Sequence, residues 1–166
     1  LLVEFGDSID PEVNRRVHDL AANIDSADVP GVVEVVPSYR SLLISYDPFA
    51  TSPDLLGAVV LDSLRQDVQA TAGPTRVVHI PMLYAGEYGP DIDFVATNGG
   101  LSSQEVVDIH AGTDYLVYMM GFSPGFPYLG GLDERLVTPR LESPRTEVPA
   151  GSVGIAEAQT GVYPVA

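Results

Sequence analysis

GFSPGFPYLGG, residues Gly121 to Gly131, crowds four glycines, two prolines and three aromatics into eleven positions. Glycine supplies backbone angles that a side chain forbids, and proline fixes its own φ and removes a donor. The composition argues against a helix and against a long regular strand. It predicts a rigid, shaped loop that holds Phe122, Phe126 and Tyr128 in defined directions. An evenly apolar run, Tyr115 to Met120, leads into it as a buried-type strand. Loops carried on a rigid scaffold are where binding residues gather. The three aromatics are therefore candidates for substrate contact, with plugging of the core as the plainer reading.

Downstream the chain breaks into turns: Thr138-Pro139-Arg140, Ser143-Pro144-Arg145 and Val148-Pro149-Ala150-Gly151. Ser152 to Ala156 reads as a strand and Gln159 to Pro164 as a further loop. Immediately upstream, a helix is expected from Asp91 to Thr97, broken by Asn98-Gly99-Gly100. Another opens at Ser102, with Glu105 at capping-box spacing, and ends near His110 with Gly112 as its stop. Arg76 to Tyr84 is strand-like, and Pro81 within it implies an edge or a bulge. Short strands separated by Gly/Pro turns indicate a β-barrel or β-sandwich with two small helices inserted. The pattern breaks off at Ala166, which leaves the expected barrel incomplete.

The first part of the chain differs in character. Leu1 to Phe5 is a strand candidate, and Asp10-Pro11 opens a helix with Val13, Val17, Leu20, Ala21 and Ile24 at helical spacing. Val32 to Val36 and Ser41 to Tyr46 read as a hairpin. Ser52-Pro53 opens a second helix, with Leu56, Val60, Leu64 and Val68 four apart. This order predicts a small sheet with two helices on one face. Thr71 to Pro74 is the linker candidate, because glycine and proline become frequent after it. The expected fold is α+β: an N-terminal α/β sandwich domain over residues 1–73, then a β-barrel domain over residues 74–166.

The 166 residues carry 23 acids, eight bases and a net charge of −15, which disfavours nucleic acid and anionic membrane surfaces as partners. No apolar run reaches ~18 residues and no signal peptide opens the chain, so no membrane association and a cytoplasmic location are expected. Cysteine is absent, which excludes a thiolate nucleophile. All eight bases are arginine, so a P-loop lysine, a Schiff base and a Ser-Lys dyad are excluded on this chain. A phosphate must be held by arginine, by backbone N–H groups or by a partner.

Of the three histidines, His110 stands out at the end of a short helix, just before the strand that enters the central loop. That position favours the cation and suits proton transfer near neutral pH, although a packed or capping histidine fits the spacing too. No HExxH or paired histidine supports zinc, and no metal is expected. Arg135, Arg140 and Arg145 recur every five residues through the proline-rich turns. They suit carboxylate or phosphate recognition, or they pair with Asp133, Glu134, Glu142 and Glu147 nearby. Gln159, Thr160 and Tyr163 add neutral polar groups beside Gly161. No GxSxG or GxGxxG is present.

IPMLYAGEYGPD (Ile80 to Asp91), GFSPGFPYLGGL (Gly121 to Leu132), TPR…SPRTEVPAGSVGIA (Thr138 to Ala156) and QTGVYP (Gln159 to Pro164) closely resemble the allophanate hydrolase subunit 1 family, also called the KipI or PxpB family. The hairpin at Gly31 to Pro48 is similar to its N-terminal domain, so the resemblance covers nearly the whole chain. Ala85 and Glu157-Ala158 stand where the family usually has glycine-rich residues. The resemblance implies a cyclophilin-like β-barrel for the second domain. It implies a partner of the subunit 2 or PxpC type, with PxpA as a third component, and ATP with Mg2+ at the level of the complex. The implied activity is hydrolysis of a cyclic amide by a hetero-oligomeric 5-oxoprolinase. Two alternatives from the same family are inhibition of a sensor histidine kinase and a urea-carboxylation module of a biotin-dependent enzyme. On this reading His110, Arg140 and Arg145 would be catalytic, while Phe122, Phe126, Tyr128, Gln159, Thr160 and Tyr163 would contact substrate.

Overall fold

A computed structural model describes residues 1–65 and 76–165. The chain divides into two compact units, Leu1–Arg76 and Val77–Ala166. The linker expected at Thr71 to Pro74 lies outside the described residues, as does Val68.

In the first unit the order is β1 (Leu2–Glu4), α1 (Pro11–Ser26), β2 (Val32–Pro37), β3 (Ser41–Tyr46) and α2 (Pro53–Arg65). Asp10 caps α1, its carboxylate accepting from the backbone N–H of Glu12 at 2.8 Å and of Val13 at 3.2 Å. Pro11 sits at the first helical position, where its missing N–H costs nothing. The three strands form an antiparallel sheet in the order β1-β3-β2. Period-2 alternation in β3 sends Leu42 and Ile44 inward, where Val17, Leu20 and Ile24 of α1 and Leu56 and Val60 of α2 cover them. Leu2, Val36 and Leu43 share one register row and are exposed on the other face.

The second unit contains α3 (Ile92–Gly99), α4 (Ser103–Ala111), β4 (Leu116–Met120), β5 (Pro127–Gly130), β6 (Val153–Ala156) and β7 (Gln159–Val162), with short 3-10 turns at Gly86–Tyr88 and Glu134–Leu136. Val95 and Ala96 of α3, Val106 of α4 and Leu136 form its buried helical core, with Ile155 of β6 packed against it. The capping box opens α4 as expected: Ser102 Oγ accepts from Glu105 N–H at 3.3 Å, and Glu105 accepts from Ser102 N–H at 2.8 Å.

Four sequence expectations change here. The barrel is not closed among the described residues: the second sheet is open and four-stranded, in the antiparallel order β4-β5-β7-β6. The outer strands β4 and β6 do not pair with each other, so both edges of the sheet stay open. Arg76 to Tyr84 form no strand, and Val77, Val78, Ile80 and Leu83 are exposed. Pairing makes a strand, and Pro81 removes one of the donors that pairing needs. The central stretch is loop only as far as Phe126; Pro127–Gly130 is a strand paired to both β4 and β7. Proline is tolerated there as the first residue of the strand. Finally, β4 is an edge strand in which Tyr118 alone is buried, because only one side of it is paired.

Candidate functional site

The β4–β5 connection is a tight, internally bonded hairpin. Gly121 N–H donates to the Phe126 carbonyl at 3.1 Å, and Phe126 N–H donates to the Ser123 carbonyl at 3.0 Å. Phe122 has φ +62°, and Gly125 has φ +85°. The glycine takes that angle freely, whereas a bulky residue there is strained. Phe122 is 80% exposed. Residues Met120 to Gly125 line an open depression of about 380 Å³.

Four of the six expected substrate contacts come together beside this depression. Phe126 is buried, with its ring centroid 5.0 Å from both Tyr128 and Tyr163 and 5.5 Å from Phe122. Phe122 and Tyr163 lie 6.4 Å apart, and all four contacts are edge-to-face, the arrangement that ring quadrupoles favour. Gly161 in β7 makes room for them. A Cβ there would sit 2.5 Å from Phe126 Cζ, so the strand must lack a side chain at the point where the ring crosses it. Tyr163 is anchored by its backbone, donating to the Ser152 carbonyl at 2.8 Å.

The remaining expected residues take other places. Gln159 begins β7 beside the tight Glu157-Ala158 turn, where Glu157 has φ +54°. Thr160 is buried and its hydroxyl donates to the Gly154 carbonyl at 3.1 Å, a bond within the sheet. Arg140 is exposed. Arg145 forms a two-pronged pair with Asp91, 2.7 Å on each branch, across 54 residues of sequence. Its partner is therefore not Glu142 or Glu147. The guanidinium holds the Asp91 carboxyl below its usual range. Arg135 does pair locally, with Asp133 at 2.7 Å.

His110, the last-turn residue of α4, is buried between two tyrosines. Its Nδ1 lies 2.8 Å from Tyr84 Oη, and Tyr115 Oη donates to its backbone carbonyl at 3.1 Å. The His110 ring meets Tyr84 edge-on at 5.8 Å and Tyr115 at 5.2 Å. Nε2 is buried and has no hydrogen-bond partner among the described residues. Burial lowers the His110 pKa, so desolvation outweighs the helix terminus that the sequence suggested would favour the cation. Burial also raises the Tyr84 phenol and pushes Tyr115 up to about 12. Asp91 is the partner of Arg145, and Tyr84 and Tyr115 are the partners of His110; no sequence signal marks these three. Tyr115 lies five residues from His110, but no periodic pattern links Tyr84 to His110 or Asp91 to Arg145.

A larger groove of about 670 Å³ runs between α1 and α2, lined by small and polar groups such as Ala27, Ala58 and Ser63. Its lining brings no cluster of reactive side chains together. Among the described residues, no group of three or more histidine or acidic side chains is placed to hold a metal. No helix among them is long and apolar enough to cross a membrane.

The chain matches the family described as carboxyltransferase domain, subdomain C and D, over residues 1–166. It is 42% identical over 175 residues to the B-type subunit of the 5-oxoprolinase of Bacillus subtilis (strain 168), covering 99% of this chain and 73% of that one. The crystal structure of TTHA0988 superposes with a TM-score of 0.86 at 38% identity, over 99% of this chain and 32% of that one. The chain thus spans about a third of the length of that crystallised protein. The Kluyveromyces lactis urea carboxylase shares the fold at 18% identity, with a TM-score of 0.70 over 98% of this chain and 16% of that one.

Proposed function

The chain belongs to the carboxyltransferase domain family, subdomains C and D, and from that membership we propose that it is the B-type subunit of a hetero-oligomeric, ATP-dependent hydrolase that opens a cyclic amide such as 5-oxoproline. The observation that carries this reading is the 42% identity to a B-type 5-oxoprolinase subunit across 99% of the chain. The proposed partners are a subunit 2 or PxpC-type protein and a PxpA-type protein. The open β4-β5-β7-β6 sheet would form one wall of a cyclophilin-like barrel.

The geometry supports a division of labour. Phe122, Phe126, Tyr128 and Tyr163 offer ring faces and edges suited to a small, flat ring. Arg140 and Arg145 are the groups for a substrate carboxylate. The Asp91 carboxylate already grips Arg145 through two 2.7 Å bonds, so it marks the chemistry that this guanidinium accepts and would exchange with the substrate anion. Gln159 and Thr160 would line the wall near Tyr163, and His110 would move or orient a proton. General acid–base groups contribute about 10²–10⁴-fold when so placed.

ATP with Mg2+ fits this chain poorly. There is no lysine, and the described residues offer no acidic cluster for the metal. On this reading ATP with Mg2+ would act at the level of the complex.

The test is reconstitution. The purified chain alone should show no ATP-dependent 5-oxoproline turnover, while the three-subunit mixture should. Turnover by the isolated chain would overturn the dependence on partners. Full activity of an Arg140→Ala, Arg145→Ala double variant in the mixture would discard the anion-binding roles. Binding to a kinase dimerisation domain that these substitutions leave intact would favour the inhibitor alternative.

A further inference from the structure

We infer that Tyr84, backed by Met82, holds the neutral ring of His110 with its proton on Nδ1, leaving Nε2 as a buried lone-pair acceptor. The argument is an accounting of protons. A neutral imidazole has one donor nitrogen and one acceptor nitrogen, and a phenol has a single proton to give. Tyr84 Oη lies 2.8 Å from His110 Nδ1 and 3.4 Å from Met82 Sδ. If the phenol donated to Nδ1, the imidazole proton would sit on Nε2, a buried position without an acceptor among the described residues. Orphaned buried N–H groups are rare, whereas under-satisfied acceptors are tolerated more often. If instead Nδ1–H donates to Tyr84 Oη, the phenol turns its own proton to Met82 Sδ and every proton has a partner. Tyr115 does not disturb this chain, since its hydroxyl donates to the His110 carbonyl. Burial of His110 also disfavours the doubly protonated ring.

The consequence is a recognition rule. An Nε2 lone pair shielded from bulk water takes a proton or accepts a hydrogen bond from a neutral N–H or O–H donor; it does not attract a carboxylate. Tyr84 is then a positioning residue, acting through the histidine ring. Under the proposed hydrolase reading, on which this last step alone rests, the donor is the amide N–H or the water of the reaction, while arginine takes the anion.

The experiment is a long-range 1H–15N spectrum of the full chain labelled with 15N-histidine, recorded near pH 8. Only three histidines are present, and His18 and His79 are exposed references. His110 should show a protonated Nδ1 and an unprotonated Nε2, opposite to the preference of a free imidazole side chain. Tyr84→Phe keeps the ring and removes the acceptor, so the proton should move to Nε2. Met82→Leu removes the outlet for the phenol proton and should move it in the same direction. A protonated Nε2 in the unsubstituted chain overturns the inference, and so does a tautomer unchanged in both variants. A second arm measures turnover in the reconstituted complex, where Tyr84→Phe should lower kcat about ten- to a hundredfold with little effect on KM. If the tautomer behaves as expected but turnover does not change, the Tyr84–His110 assignment stands and the hydrolytic role of His110 falls.

Discussion

Phe122 holds a backbone angle that its side chain opposes, with φ +62°, and buries little in return, since it is 80% exposed. An L-residue in that region loses roughly 1–2 kcal/mol. The edge-to-face contacts with Phe126 and Tyr163 offset only part of this, because the ring remains in water. Strain without stabilising burial points to a residue kept for contact with something outside the chain. Replacement by glycine relieves the strain but adds unfolded-state entropy of about 0.5–1 kcal/mol. Phe122→Gly is therefore expected to leave unfolding stability within about 1 kcal/mol of the parent in urea, despite the loss of a whole aromatic side chain. Phe122→Ala keeps the strained angle and should be less stable than the glycine variant. Under the proposed function, both should raise KM for the cyclic amide in the reconstituted complex. Equal stability of the alanine and glycine variants would show that the angle relaxes freely and that no strain is stored.

The elements most legible in the sequence were those whose signals are local. Asp10-Pro11 and the Ser102/Glu105 box mark helix starts through bonds that span three residues, and both form. The capping box gives a direct measurement: Ser102→Ala should cost about 1 kcal/mol, seen as a lower urea midpoint with an unchanged slope. An unchanged midpoint would mean that α4 is held by Val106 and His110 packing alone. What the sequence hid depends on neighbours far along the chain. Pro127–Gly130 looks like loop because it is rich in glycine and proline. It becomes a strand because β7 supplies a second pairing edge and Gly130 lets the Tyr118 ring cross it. Arg76 to Tyr84 looks like strand because it is apolar, yet no described strand pairs with it. The four site aromatics were legible as residues, since the glycine and proline around them announced a shaped loop. The Tyr84–His110 and Asp91–Arg145 contacts were not, because nothing in a periodic pattern records a partner 26 or 54 residues away.

Across the whole molecule, 23 acids face eight arginines, a net charge of −15. Two opposite electrostatic effects follow, and salt weakens both. The arginine–carboxylate pairs of Arg15, Arg40, Arg135 and Arg145 attract, but their side chains are partly exposed, and such pairs contribute about 0–1 kcal/mol each. The surplus acids repel one another in the compact state more than in the expanded chain. Since the surplus outnumbers the paired arginines several-fold, screening the repulsion should win. Raising NaCl from about 10 mM to about 0.2 M shortens the Debye length from about 30 Å to under 10 Å, so Tm should rise by a few degrees. An equal ionic strength of choline chloride should give the same rise, which separates screening from specific ion binding. A falling Tm would mean that the ion pairs dominate after all. Under the proposed anion-binding role, the same field opposes an anionic substrate at long range, and capture would rest on Arg140 and Arg145 at short range.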